Sequence, residues 1–160
     1  MDVASIETSR QAIKSRIAEL NRLATSDAKI LESVMTEVCT LCGEYSRLSV
    51  MLVVFDAYST LVERTPQDTG RARASWNLGT APSDAVPPAG DYSAFKGDVS
   101  GAVARAIDAV PLDAELFCIS SALEYMPFLE AGWSKQAPAG FIALTFREVA
   151  EQLRNSMRAA

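Results

Sequence analysis

Apolar positions recur at helical spacing through the first third of the chain. Ile13, Ile17, Leu20 and Leu23 fall on one face and predict a helix over residues 9–24. Thr25, Ser26 and Asp27 follow, residue types that cap backbone amides and mark a break. The clearest periodicity comes next. Leu31, Val34, Val38, Leu41, Tyr45, Leu48, Leu52 and Phe55 are separated alternately by three and four residues. A helix presents such a seam as one stripe, over nearly 40 Å at about 1.5 Å per residue. Gly43 weakens it by roughly 1 kcal/mol relative to alanine. Near the end the apolar surface widens, as Val50, Met51, Val53 and Val54 join Leu52. A buried strand over Val50–Phe55 is the competing reading; helix is preferred because the seam runs through the block without a change of phase.

Pro66 stops the helix, since the residue before a proline is steered away from helical angles. Trp76, Leu78 and Thr80 alternate with Asn77 and Gly79, which predicts a strand. Residues 81–97 hold Pro82, Pro87, Pro88, Gly90 and Gly97 and read as a long irregular loop. Asp98 or Ser100 opens a helix through Val110, with Val99, Val103, Ile107 and Val110 facing inward. Pro111-Leu112-Asp113 turns the chain. Glu115 to Ser121 reads as a buried strand, Tyr125 to Ala131 as a short helical or extended piece, and Ser134 to Gly140 as a loop. A last helix, from about Ala139 to Arg158, is expected to bury Ile142, Phe146, Val149, Leu153 and Met157. The sum is an α+β fold: long amino-terminal helices and a carboxy-terminal helix packed on a small, mostly antiparallel sheet. One domain over 1–160 is expected, with residues 1–27 a peripheral helix.

Composition narrows the function. With 49% hydrophobic residues the chain is no disordered tail. No run of about 18 apolar residues appears, so no membrane span is expected. The first residues lack a basic region and an apolar core, so cytoplasmic synthesis is expected. The net charge is −5, which disfavours clamping DNA, because phosphate affinity needs clustered bases. The three cysteines, Cys39, Cys42 and Cys118, argue against a disulfide framework. Cys39 and Cys42 form a C-x-x-C inside a helical pattern, where packed thiols are expected. The chain has no histidine, so the commonest general base and metal ligand is missing. No phosphate-binding glycine loop is present. Glu124 and Glu130 can be imagined as an acid and a base, but solvated carboxylates are commoner. No catalytic, cofactor or metal site is expected.

Two stretches carry more information. Thr65-Pro66-Gln67-Asp68-Thr69-Gly70-Arg71-Ala72-Arg73-Ala74-Ser75-Trp76 is a helix stop, a capped turn and a basic first turn. Its arginines are either solvated or reach an acidic neighbour. Tyr125 to Gly140 (YMPFLEAGWSKQAPAG) sets wide aromatics on irregular backbone, which implies a roof over the sheet, a core pocket or a contact surface.

Together the two stretches resemble the family of phage neck and tail-completion proteins that includes the minor tail protein Z group. The family pattern P-x-D-T-G-x-x-R-x-S is met by Pro66, Asp68, Thr69, Gly70, Arg73 and Ser75. The pattern Y-x-x-x-L-E-x-G-x-S-x-Q-A-P-x-G is met by Tyr125, Leu129, Glu130, Gly132, Ser134, Gln136, Ala137, Pro138 and Gly140. The likeness covers roughly residues 30–155; a leucine is common in the family where this chain has Ala72. It implies a structural virion protein at the head–tail junction, a homo-oligomeric ring of six or twelve copies through which DNA passes without specific binding. Its neighbours would be connector and tail proteins. A tail terminator is the nearest alternative, and a cytoplasmic protein that pairs helices through the Leu31–Phe55 seam is the alternative from another class. Arg71, Arg73, Trp76, Phe128, Trp133, Lys135 and Gln136, with the Pro82–Gly97 loop, are the expected contact elements, the two arginines pairing to acids across the interface.

Overall fold

In the computed structural model, residues 3–23, 28–111 and 113–158 are described, without the side chains of 21–31 and 156–158. The elements are α1 (Val3–Leu23), α2 (Ala28–Arg64), α3 (Arg71–Ala74), β1 (Asn77–Gly79), a 3-10 turn (Ser93–Phe95), α4 (Ser100–Asp108), β2 (Cys118–Ser120), α5 (Met126–Glu130) and α6 (Phe141–Arg158). Strands β1 and β2 pair antiparallel, with Asn77 opposite Ser120, Leu78 opposite Ile119 and Gly79 opposite Cys118. The α+β class holds. The chain divides into two compact units, residues 1–52 and 53–160.

In the first unit, α1 begins six residues before the predicted start, at Val3. Ile6, Leu20, Val34, Leu48 and Met51 are buried, so two of the seam positions carry the core here. Val38, Leu41 and Tyr45 are half-buried. Tyr45 lies between two cations of α1. The Arg10 guanidinium is 4.7 Å and the Lys14 ammonium 5.1 Å from the ring centroid, and Arg10 Nη2 donates to the phenolic oxygen at 2.9 Å. Hydrogen bonding from Lys14 and Arg10 pulls the Tyr45 hydroxyl below its ordinary range. Arg16 pairs with Glu37 at 2.9 Å. Cys39 and Cys42 are exposed, so the packed-thiol expectation fails for both; they fall beside the seam rather than on it. The predicted break at Thr25-Ser26-Asp27 and the inward positions of Leu23 and Leu31 lie outside the described residues.

Helix α2 runs 37 residues, roughly 55 Å at about 1.5 Å per residue, and Val50–Phe55 is helical as preferred. Against the expectation of no membrane span, residues Glu32–Arg64 are long and apolar enough, by length and composition only, to cross a bilayer, with a mean hydropathy of 1.4 in the best window. Glu37, Glu44, Arg47, Asp56 and Glu63 interrupt that stretch, each costing about 2.5 kcal/mol or more at a bilayer centre. Phe55, Leu61 and Val62 are already buried in protein.

In the second unit the core gathers Phe55, Tyr58, Leu61, Val62, Trp76, Leu123, Met126 and Phe141. Val99, Val103, Ile107 and Val110 are all buried, as the pattern of α4 predicts. Asp98 receives the Ser100 amide at 2.9 Å just before that helix. Helix α6 buries a face one residue off the predicted one. Phe141 and Thr145 are enclosed while Phe146 is 48% exposed; Ile142, Val149 and Leu153 are half-buried, and Met157 lies outside the described side chains. Thr145 tolerates burial because its hydroxyl donates to the Phe141 carbonyl and accepts from Arg64 Nη1 at 3.0 Å. Strand β2 is shorter and wetter than the buried strand expected over Glu115–Ser121. Leu116 is 65% exposed, because pairing with the three residues of β1 begins only at Cys118. Of the predicted turn Pro111-Leu112-Asp113, Leu112 lies outside the described residues.

Two outcomes follow. A Cβ built at Gly43 meets nothing within 4 Å, so Gly43→Ala stabilises by about 0.5–1 kcal/mol, read as a higher urea midpoint at unchanged slope. The amide and hydroxyl of Ser100 hold the Asp98 carboxylate below its ordinary range. The stability this contact adds is present above the unfolded pKa of about 3.9 and lost as pH falls through the folded value. An NMR titration of Asp98 has its midpoint below that reference in the wild type and at it in unfolded protein.

Candidate assembly surface

A helix leaves its last carbonyls without intrahelical donors. At the end of α2 these are served by Arg73, which α3 and the turn after Pro66 bring back alongside. Arg73 Nη2 donates to the Glu63 carbonyl at 2.8 Å and Nε to the Thr65 carbonyl at 2.9 Å. Its Nη1 reaches the Gly97 carbonyl at 3.0 Å, Gln67 Oε1 at 3.3 Å and the Phe95 carbonyl at 3.4 Å. Burial lowers the Arg73 pKa, and the nearby Glu63 charge opposes that shift; a guanidinium keeps its proton regardless. The negative end of the helix dipole favours this cation.

Around it further hydrogen bonds hold the turn. Trp76 Nε1 donates to Thr65 Oγ1 at 2.7 Å, and Thr65 Oγ1 donates to the Leu61 carbonyl at 2.6 Å. The buried Tyr58 hydroxyl, pushed up by desolvation, donates to the Trp76 carbonyl at 3.3 Å. Gly70 has φ +81°, and a Cβ there would collide with the Tyr92 carbonyl oxygen. The glycine thus serves both the left-handed conformation and the close approach of the 81–97 loop. Arg71 holds that loop from the other side, its Nη2 and Nε on the Pro87 carbonyl at 2.9 and 3.2 Å.

The second stretch closes on the first. The Gln67 backbone amide donates to Gln136 Oε1 at 2.9 Å; just ahead of the second stretch, the Ser121 hydroxyl lies 2.8 Å from that of Ser75. Glu130, imagined as one of an acid–base pair, instead receives the Ile142 and Ala143 amides at 2.8 and 3.0 Å, capping α6 from another element with a charged acceptor. Gly132 (φ +88°) would place a Cβ 2.9 Å from that of Ala139. The segment between α5 and α6 is therefore folded tightly back on itself, and it sets Trp133 outward beside Phe128 of α5. Their ring centroids are 4.7 Å apart and tilted by 43°, with Phe128 48% and Trp133 75% exposed. Beside them an open groove of about 490 Å³ is lined by Trp76, Ile119, Leu123, Met126, Ile142 and Phe146, with Glu124 and Glu130 its charged lining residues.

Of the expected contact residues, Phe128, Trp133, Lys135 and Gln136 are exposed, while Arg73 and Trp76 are buried. Arg71 and Arg73 bond carbonyls and Gln67 of their own chain. For Arg73 the acceptors include those of the helix end, which apolar spacing does not encode. Gln67, Thr65 and Glu130 are the residues missed, and Gln67 is central, since it touches Arg73, Gly97 and Gln136. No cluster of three or more metal-ligating side chains occurs among the described residues. Comparison with protein-family models, curated proteins and solved structures finds no match.

Removing the hub has a defined cost. Arg73→Ala takes this donor from the buried Thr65 carbonyl and from the part-buried Glu63 and Gly97 carbonyls, and destabilises by about 2–4 kcal/mol. Arg73→Lys recovers less than half of it, since an ammonium lacks the planar fork. Urea denaturation of the three proteins measures both.

Proposed function

We propose that this chain is a structural virion protein of a tailed bacteriophage, a neck or tail-completion subunit that assembles as a ring at the head–tail junction. The observation that carries the reading is the outward aromatic pair and its mounting. The two stretches that resemble the phage family lie about fifty residues apart in sequence, and they are bonded to each other through Gln67 and Gln136. One of them displays Phe128 and Trp133 to solvent. Large aromatics held out by a tightly bonded support suit adhesion, because ordering cost is already met before a partner arrives. The acidic balance of the chain suits a channel that DNA traverses without capture. Ring closure needs one patch to meet a different patch on the next subunit.

Deleting the gene from the phage or prophage that encodes it tests the proposal. The expected lysate holds filled heads and full-length tails that fail to join, with infectious titre restored by the chain supplied in trans. Tails of uncontrolled length would instead identify a terminator, whose absence leaves tube growth uncapped. Normal titre from the deletion, or absence of the chain from purified virions, overturns the reading.

A further inference from the structure

We infer that the Phe128–Trp133 pair of one copy seats in the groove between α5, α6 and β2 of a second copy. The inference rests on the reading of the chain as an assembling subunit and names the two halves of its contact. The projection and the groove belong to one compact unit, and both are apolar. Neither Phe128 nor Trp133 lines the groove of its own chain, so the pair is not a displaced lid. The groove has an apolar floor with no occupant from the same chain, and Phe146 within it is 48% exposed. Its volume of about 490 Å³ exceeds that of an indole side chain.

Charge selects the occupant. The charged residues lining the groove, Glu124 and Glu130, are both acids, and among the described residues no base lines it. The exposed residue two places beyond Trp133 is Lys135. An approaching copy that inserts Trp133 brings Lys135 to an acidic rim, whereas a partner with an acidic flank is repelled. The match is between different patches of one molecule; repeated head to tail it is a heterologous contact, the kind that propagates around a ring. The aromatic pair alone covers less than the roughly 800 Å² per partner of a standard stable interface. A single contact is therefore weak, and closure of the ring strengthens it by raising the effective concentration of each patch.

The test places p-benzoylphenylalanine at position 128, leaving Trp133 intact, and irradiates the full chain both concentrated in solution and during phage assembly. The expected product is a copy-to-copy crosslink from 128 to residues 119–126 or 142–146, lost in Trp133→Asp and in Phe146→Asp chains that keep wild-type circular dichroism. An equimolar mixture of those two variants restores one crosslink species, because one keeps its groove and the other its projection. Crosslinks confined to the same chain, crosslinks only to a different protein, or none in either setting overturn the inference. A copy-to-copy crosslink in a chain absent from virions keeps this contact and defeats the phage reading. Virion location without the crosslink defeats this contact alone.

Discussion

Ending a 37-residue helix inside a folded unit leaves carbonyls without helical donors, and one guanidinium answers two of them, at Glu63 and Thr65. Arg73 draws the end of α2, the turn after Pro66 and the residues just before α4 to a single point. Five donors in a planar fork suit the task as no other side chain does. Trp76 bonds to Thr65 at that junction, and the residues from Phe95 to Gly97 reach it through Arg73. The aromatic segment that follows α5 rests on it in turn, through Gln67.

The same economy recurs at the start of α6. Two amides of its first turn are answered by Glu130 from the end of α5 rather than by a neighbour in sequence. The glutamate that ends one helix thereby fixes where the next begins, and the backbone between them is forced into a tight excursion closed by the Gly140 amide on the Glu130 carbonyl at 2.7 Å. Glu130 is thus taken up by backbone, while Phe128 and Trp133 are left outside.

How much of this the sequence reveals depends on whether periodicity or polar bonding decides each element. Helix α4 is legible because Val99, Val103, Ile107 and Val110 repeat cleanly and all turn inward. Helix α2 is legible because its seam keeps phase through Val50–Phe55. Helix α6 is legible in extent but misread in rotation, because a threonine takes a core place that hydrophobicity assigns to its neighbours. Thr145 can do so through two hydrogen bonds that no apolar pattern encodes. The contact surface divides likewise: Phe128 and Trp133 stand out as wide side chains, whereas the inward turn of Arg73 and Trp76 depends on acceptors outside their own elements. Cys39 and Cys42 are exposed because they fall just off the seam, a matter of helical phase rather than of residue type.

The loop between β1 and α4 is less free than its length suggests. Ser83 is tied by its amide to the Ser120 hydroxyl, Pro87 by its carbonyl to Arg71, and Tyr92 by its hydroxyl to the Pro88 carbonyl. Between the first two ties lie Asp84, Ala85 and Val86, all exposed. Extra residues placed there lengthen a span already pinned at both ends, so each doubling costs only about 0.6 kcal/mol of closure entropy. An epitope tag or a lengthened natural variant is accommodated between Asp84 and Val86, and resisted a few positions further on, where the polypeptide is clasped.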